Sequence, residues 1–387
     1  MAINITQEPQ AFYPAYNDCF LKFDTTFTLD DRAVIEIIDG TTVLYRFTIF
    51  PDNAGNYLFN LKEIVRAMVN TNQFKDGLDY SQAGWGFIDE SLYTEITVAY
   101  TAYGDGSVAT VEKVYSFNKA VKQFGDPLLT NPYQLMLPSQ DGLNYALTYH
   151  EGFPLEIPFR YVQGSISTTV DNGDGTTTTT YSNEITIKNN RTQEIAGPFR
   201  PSKSAPYRLF IDKGLTNWDS TGVMAIPDML NRMDILVDGV VQTSIDVTKK
   251  ASEAGRLVKW MNADGSYSYW LFQRWTKQTH EGKEIDRIGT NNYSNVYGNN
   301  EGFTKITGKS GGSGLELNTI VTEDEKNHLI SLVTSPNVEL WSQECPYTDG
   351  KWLSVKVLTK GFTYSNKKSR NQIKVEIELP EINSQIL

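Results

Sequence analysis

The dipeptide Asp-Gly recurs between strand-like runs of this chain, and no other feature restricts the fold as much. It sits inside "VIEIIDGTTVLYRF", "DILVDGVVQTS", "NADGSYSYW", "CPYTDGKWLSVKV" and "DNGDGTTTTT". Flanked by apolar and β-branched residues, the pair predicts a tight hairpin, because the favoured two-residue turn needs positive φ at its centre. Glycine meets that need freely and aspartate better than most residues. A chain that repeats this device is built mainly from antiparallel sheet.

The runs between the turns fit. "CFLKFD", "AVIEIID", "VLYRFTI", "YTEITVAY" and "TVEKVYSF" read as strands, and so do "FPLEIPFRYV", "YRLFID", "VELWS" and "WLSVKVLTKGFTYS". In "QIKVEIELP", Ile373, Val375, Ile377 and Leu379 share one face and Lys374, Glu376 and Glu378 the other, the pattern of a half-buried antiparallel strand. Two stretches break the alternation. Leu61, Ile64, Val65 and Met68 fall at helical spacing, which predicts a short amphipathic helix. "TEDEKNHLISLVTSP" predicts another, with Thr322 and Glu325 as a capping box and Pro336 beyond its end. The fold class is therefore mainly β: two or three antiparallel sandwich-like or barrel-like domains with two short helices.

Boundaries follow from composition. Residues 1–125 read as a β domain whose first segment, "MAINITQEPQAFYPAYND", is an extended arm, since Pro9 and Pro14 exclude a helix. A proline-rich stretch opens a middle β domain, 126–253, in which the threonine run forms a hairpin polar on both faces that projects into solvent. The third domain, 254–387, carries Trp260, Trp270 and Trp275 and a long Asn/Gly/Ser-rich loop.

Charge and motifs narrow the function. With 46 acidic residues against 35 basic ones, the net charge of −11 argues against a nucleic-acid surface. Cys19 and Cys345 are the only cysteines, which suits a reducing compartment. No apolar run approaches the ~20 residues of a membrane span, and the start lacks the charged and apolar regions of a cleaved signal. His150, His280 and His328 lie far apart, and His-Glu-Gly at 150–152 and 280–282 does not continue to H-E-x-x-H, so no metal site is expected. "DNGDGTTTTT" has Gly173 where a calcium loop needs a ligand. Nucleophile elbows and phosphate-binding loops are absent, no cofactor is implied, and the expectation is a protein that is not an enzyme. Paired carboxylates of a polysaccharide hydrolase stay open, because sequence gives no distances.

The order of features resembles a group of tail-associated structural proteins from tailed phages that infect Bacteroidetes, crAss-like phages included. Pro14-Ala15-Tyr16-Asn17 after a short arm, "LYRFTIFPDNAGNYLFNLKEIV", "VKWMNADGSYSYWLF", "TEDEKNHLISLVTSPNVELW", "KWLSVKVL" and "IKVEIELPEIN" carry it. The resemblance touches both ends and part of the middle. It implies a hub, ring or baseplate-type subunit of the virion tail, made in the host cytoplasm and contacting copies of itself and other tail proteins. It supplies no catalytic residues.

Two sets of contact residues follow. The arm 1–18, with Pro14, Tyr16 and Asn17, and the last strand 372–380, with Ile373, Val375, Ile377 and Leu379, are expected to pack on a neighbouring subunit, as strand addition satisfies open backbone groups. For the last strand, pairing within its own sheet is an equal alternative. A second functional reading is a carbohydrate- or receptor-binding module with Tyr293, Tyr297 and Phe303 on a host glycan.

Overall fold

The computed structural model describes residues 3–27, 32–71, 76, 78, 84–123, 126, 133–139, 144–162, 167–171, 177–181, 184–212, 224–252, 254–289, 304–342, 352–365 and 369–380. It is mainly β with two α-helices among these residues, Lys62–Val69 and Glu323–Thr334. The chain divides into two compact units. One comprises 1–251 with 261–268, and the other 252–260 with 269–387.

The first unit holds two apolar cores. In the N-terminal one, a three-stranded sheet (Ile3–Gln7, Phe20–Thr25, Asn56–Asn60) faces a five-stranded sheet. The order of the latter is Tyr13–Pro14, Ser107–Asn118, Tyr93–Gly104, Arg32–Asp39, Thr42–Ile49. Phe23 joins the layers, stacked on Tyr57 and edge-on to Tyr100 at 5.2 Å. The helix Lys62–Val69 closes this core with Leu61, Val65 and Val69, while Ile64 and Met68 pack at its margin.

The second core lies between a four-stranded sheet (Tyr133–Leu135, Leu155–Tyr161, Ala205–Asp212, Gly86–Ile88) and a five-stranded one. The latter runs Asn144–His150, Val240–Lys250, Met229–Val237, Ile185–Asn189, Ile195–Phe199. Its pairing is mixed, since Asn144–His150 lies parallel to 244–250. The boundary expected near 125 is crossed by Gly86–Ile88, which pairs with Tyr207–Leu209 across 120 residues of chain. That crossing keeps 1–251 together. The threonine run forms the expected hairpin, Ser167–Asp171 against Thr177–Tyr181.

The Asp-Gly pairs divide: at Asp39-Gly40 and Asp264-Gly265 only the glycine has positive φ (57° and 84°), and Asp39 is the last residue of its strand, whereas two pairs take the expected turn. Asp238 (φ 51°) and Gly239 (φ 78°) join Met229–Val237 to Val240–Lys250, and Asp105 (φ 52°) and Gly106 (φ 70°) join Tyr93–Gly104 to Ser107–Asn118. Asp174-Gly175 and Asp349-Gly350 lie outside the described residues.

Most of the second unit is a seven-stranded sheet ordered Tyr267–Phe272, Arg256–Met261, Val338–Trp341, Trp352–Val357, Asn371–Glu378, Lys309–Val321, Lys277–Glu284, whose first two strands carry residues of 261–268 as well. The helix Glu323–Thr334 starts where the capping box predicts, with the Thr322 amide donating to Glu325 Oε2 at 3.0 Å, and stops before Ser335-Pro336. Trp260 and Trp270 are core residues, their indole N–H groups bonded to Ser331 and Thr319. Trp275 is exposed.

Candidate subunit interface

The arm is bound to its own chain. Ile3–Gln7 pairs antiparallel with Lys22–Thr25, and Tyr13–Pro14 pairs parallel with Phe117–Asn118. Pro14 is buried. The Tyr16 hydroxyl donates to Asn70 Oδ1 at 2.6 Å, and burial pushes its phenol up to about 12. Asn17 closes a two-way bridge with Lys122, donating to its carbonyl at 2.8 Å and accepting from its amide at 2.7 Å. Pro14, Tyr16 and Asn17 are thus engaged within the chain, while Ile3–Gln7 stands at the edge of its three-stranded sheet.

The last strand is likewise committed. Asn371–Glu378 pairs with Gly314–Val321, and Ile373, Val375, Ile377 and Leu379 are at most 3% exposed in the second unit's core. The expectation that these four side chains contact another subunit gives way to a core role, because no surface remains on them. Lys374, Glu376 and Glu378 hold the solvent face. Tyr293, Tyr297 and Phe303 lie outside the described residues.

Sequence patterning missed two features. The first is a charge cluster inside the first unit. Arg208 is fully buried and binds Glu156 through Nε and Nη2 at 2.8 and 2.9 Å. Its Nη1 donates to Asp89 at 3.0 Å and Asp76 at 2.7 Å, and the Tyr267 ring lies 4.6 Å from the guanidinium carbon. Nearby, burial pushes the Lys119 ammonium down to about 8 against the pull of Asp89. Carboxylates 132, 119 and 52 residues away meet one guanidinium, so the cluster ties distant segments into one body. No local spacing announces it. The oxygens are taken up by fixed donors, which suits a structural tie better than proton transfer.

The second is the strand Thr42–Ile49 at one edge of the N-terminal five-stranded sheet. Val43, Leu44 and Tyr45 are each 40–50% exposed, and Phe50 is 70% exposed. Towards the core, Tyr45 stacks on Phe47 at 6.3 Å and Phe47 meets Phe59 at 4.9 Å, so an aromatic row runs from the interior out to the edge. A bulge opposite Ile37/Ile38 makes Leu44 the extra residue, which interrupts regular pairing there. The run Val-Leu-Tyr, apolar on both faces, is the signal that sequence reading passed over.

An open cleft of about 460 Å³ lies beside Ile320, Thr363, Tyr364, Arg370 and Gln372. A cavity of about 30 Å³ beside Phe12, Asn118, Gln134 and Arg160 has room for water-sized occupants only. Asn118 Oδ1 is buried there without a hydrogen-bond donor. Among the described residues, no group of three or more His, Cys, Asp or Glu side chains is placed to hold a metal ion, and no helix is long and apolar enough to cross a membrane. Burial pushes the Cys19 thiol up to about 12, which makes it unreactive.

No protein-family model matches the chain, and no curated protein does. Among solved structures it is similar to a tetra-tandem repeat from the extending region of a large adhesion protein. The identity is 8%, with 96% of this chain and 64% of that one covered and a TM-score of 0.21. It is also similar to the complex of Dpr2 Ig1-Ig2 with DIP-Theta Ig1-Ig3 (9% identity, 99% and 91% covered, TM-score 0.21). Zebrafish RET cadherin-like domains 1 to 4 are similar at 7% identity, with 84% and 64% covered and a TM-score of 0.12. At these scores the likenesses carry no argument about this chain.

Proposed function

We propose that this chain is a structural subunit of a bacteriophage tail, of hub, ring or baseplate type, that assembles through contacts with copies of itself and with other tail proteins. The exposed apolar group Val43, Leu44, Tyr45 and Phe50 carries the reading. Contiguous apolar side chains at one edge mark protein contact surfaces more often than isolated exposed residues do. The resemblance of the sequence to tail proteins supplies the kind of assembly, and the structural use of the buried charges agrees with it.

The contact surface in this reading differs from the arm and last strand that the sequence suggested. The side chains of the last strand's apolar face are buried within the chain, whereas those of the 43–50 group are 40% or more exposed. Tyr45→Lys places an ammonium in the group at a side chain that is 40% exposed and meets only the margin of the core, through Phe47. Light scattering of the purified full chain should show a mass above that of one copy, falling toward one copy in Tyr45→Lys. Equal masses for the two proteins would remove this surface from the account.

A further inference from the structure

The seven-stranded sheet of the second unit ends at Lys277–Glu284, whose outer edge has no partner strand among the described residues. Its inner edge pairs with Lys309–Glu316 in unbroken register. All eight residues are exposed. Ordinarily an edge of this kind is guarded by charge, because like charges facing each other repel an incoming strand.

Here the charges alternate in a self-complementary order. Two identical antiparallel strands are related by a two-fold axis that falls on a residue facing its own copy. Placed on Gly282, that axis sets Glu281 opposite Lys283 of the second copy, twice per pair. It also sets His280 opposite Glu284 of the second copy. A shift of the axis to Glu281 or Lys283 instead faces two like charges. Neither Glu281 nor Lys283 has an ion-pair partner in its own chain among the described residues. His280 engages Ser313 through Nδ1 at 2.7 Å, which leaves its other ring nitrogen pointing elsewhere. Further along, Lys277 would face Arg287 of the second copy, and Arg287 is already paired with its own Glu284 at 2.7 Å.

The glycine at the axis is compatible with this pairing. Gly282 has an ordinary φ, and a Cβ there would meet only the tip of the Lys309 side chain, at 3.9 Å. A Cβ at Gly312 would meet nothing within 4 Å. The chain's own fold therefore asks for glycine at neither position, although glycine weakens a strand. A strand added at the edge approaches along the hydrogen-bonding direction, to which side chains stand perpendicular, so glycine at the axis is compatible with such pairing without being required by it. Gly282 also faces Gly311 within the ribbon, so the row through the axis carries no side chains.

We propose that Lys277–Glu284 pairs antiparallel with the same strand of a second copy about a two-fold axis at Gly282, with reciprocal Glu281–Lys283 ion pairs. The proposal rests on the reading of the chain as a self-assembling subunit and names one of its contacts. His-Glu-Gly at 280–282, which fits no metal motif, is the centre of that contact.

Sedimentation velocity of four full-length proteins tests it: the wild type, Glu281→Lys, Lys283→Glu and the double swap. Each single swap converts two attractive cross-strand pairs into repulsive ones, which should weaken association on the order of tenfold to a hundredfold. The double swap restores opposite charges and should recover wild-type association. Both substituted positions are exposed, and unchanged far-ultraviolet circular dichroism will show that the variants fold. Single swaps that associate like the wild type overturn the pairing, as does a double swap no better than the singles. If association depends on Tyr45 but is indifferent to the swaps, this contact falls and the subunit reading stands. Charge-dependent association that is indifferent to Tyr45→Lys supports this contact and removes the 43–50 surface.

Discussion

Replacing Arg208 with methionine keeps roughly the volume of the side chain and removes its charge. The charge-assisted hydrogen bonds to Glu156, Asp89 and Asp76 are lost. The carboxylates do not suffer equally. Asp89 keeps the amide and hydroxyl of Ser91, at 3.0 and 2.5 Å, and Asp76 keeps the Leu78 amide at 3.0 Å. Glu156 loses the guanidinium from both oxygens, and Ser266 Oγ lies 3.5 Å away. The cheapest response is for Glu156 to take up a proton. At pH 7 this costs ~4 kcal/mol for a carboxyl that titrates near 4.3 in the unfolded chain, within the ~3–5 kcal/mol typical of breaking a buried pair.

The sign of the pH dependence follows. In Arg208→Met the folded state holds Glu156 protonated above the pH at which the unfolded chain releases that proton. The folded state then binds more protons, so stability rises as pH falls. At pH 5 the protonation term shrinks to ~1 kcal/mol. Urea unfolding at pH 7 and pH 5, with hydrogen exchange followed on peptides over 86–92, 155–161 and 205–212, should show a loss of ~4 kcal/mol at pH 7. Much of that loss should be recovered at pH 5, and adding Glu156→Gln should recover part of it at pH 7. A loss below ~1 kcal/mol at pH 7, or one that does not change with pH, would refute the reasoning about the cluster.

Two further outcomes are expected. Burial between Trp260 and Trp270 holds the His328 imidazole down to about 4, so the unfolded chain takes up its proton first as pH falls. Stability of the second unit should drop by ~3 kcal/mol between pH 6.5 and 4, and His328→Gln should flatten that slope in thermal melts. Ile377→Ala should cost ~2–5 kcal/mol by opening a cavity in the core, whereas Lys374→Ala on the opposite face should leave the melting temperature nearly unchanged.

Local physics made part of this molecule readable. Turn chemistry located Asp238-Gly239, periodicity located the first helix and the alternation of the last strand, and the capping box located the second helix. Each depends on residues a few positions apart. Periodicity shows that Ile373 to Leu379 face something apolar, but whether that is the chain's own sheet or a neighbour depends on strand order. The arm shows the same limit: Pro9 and Pro14 make it extended, while the acceptor at Phe117–Asn118 is a hundred residues away. The tie at Arg208 and the edge position of Thr42–Ile49 are products of topology. Of the edge, only the run Val-Leu-Tyr is visible in one dimension.

The claim that this chain is a tail component is tested most directly by counting it in particles. Quantitative mass spectrometry of purified tailed particles, scaled to a structural protein of known copy number, should find the 43.6 kDa chain at a fixed ratio of several copies per particle. A chain absent from purified particles, or recovered only free of them, would contradict the account.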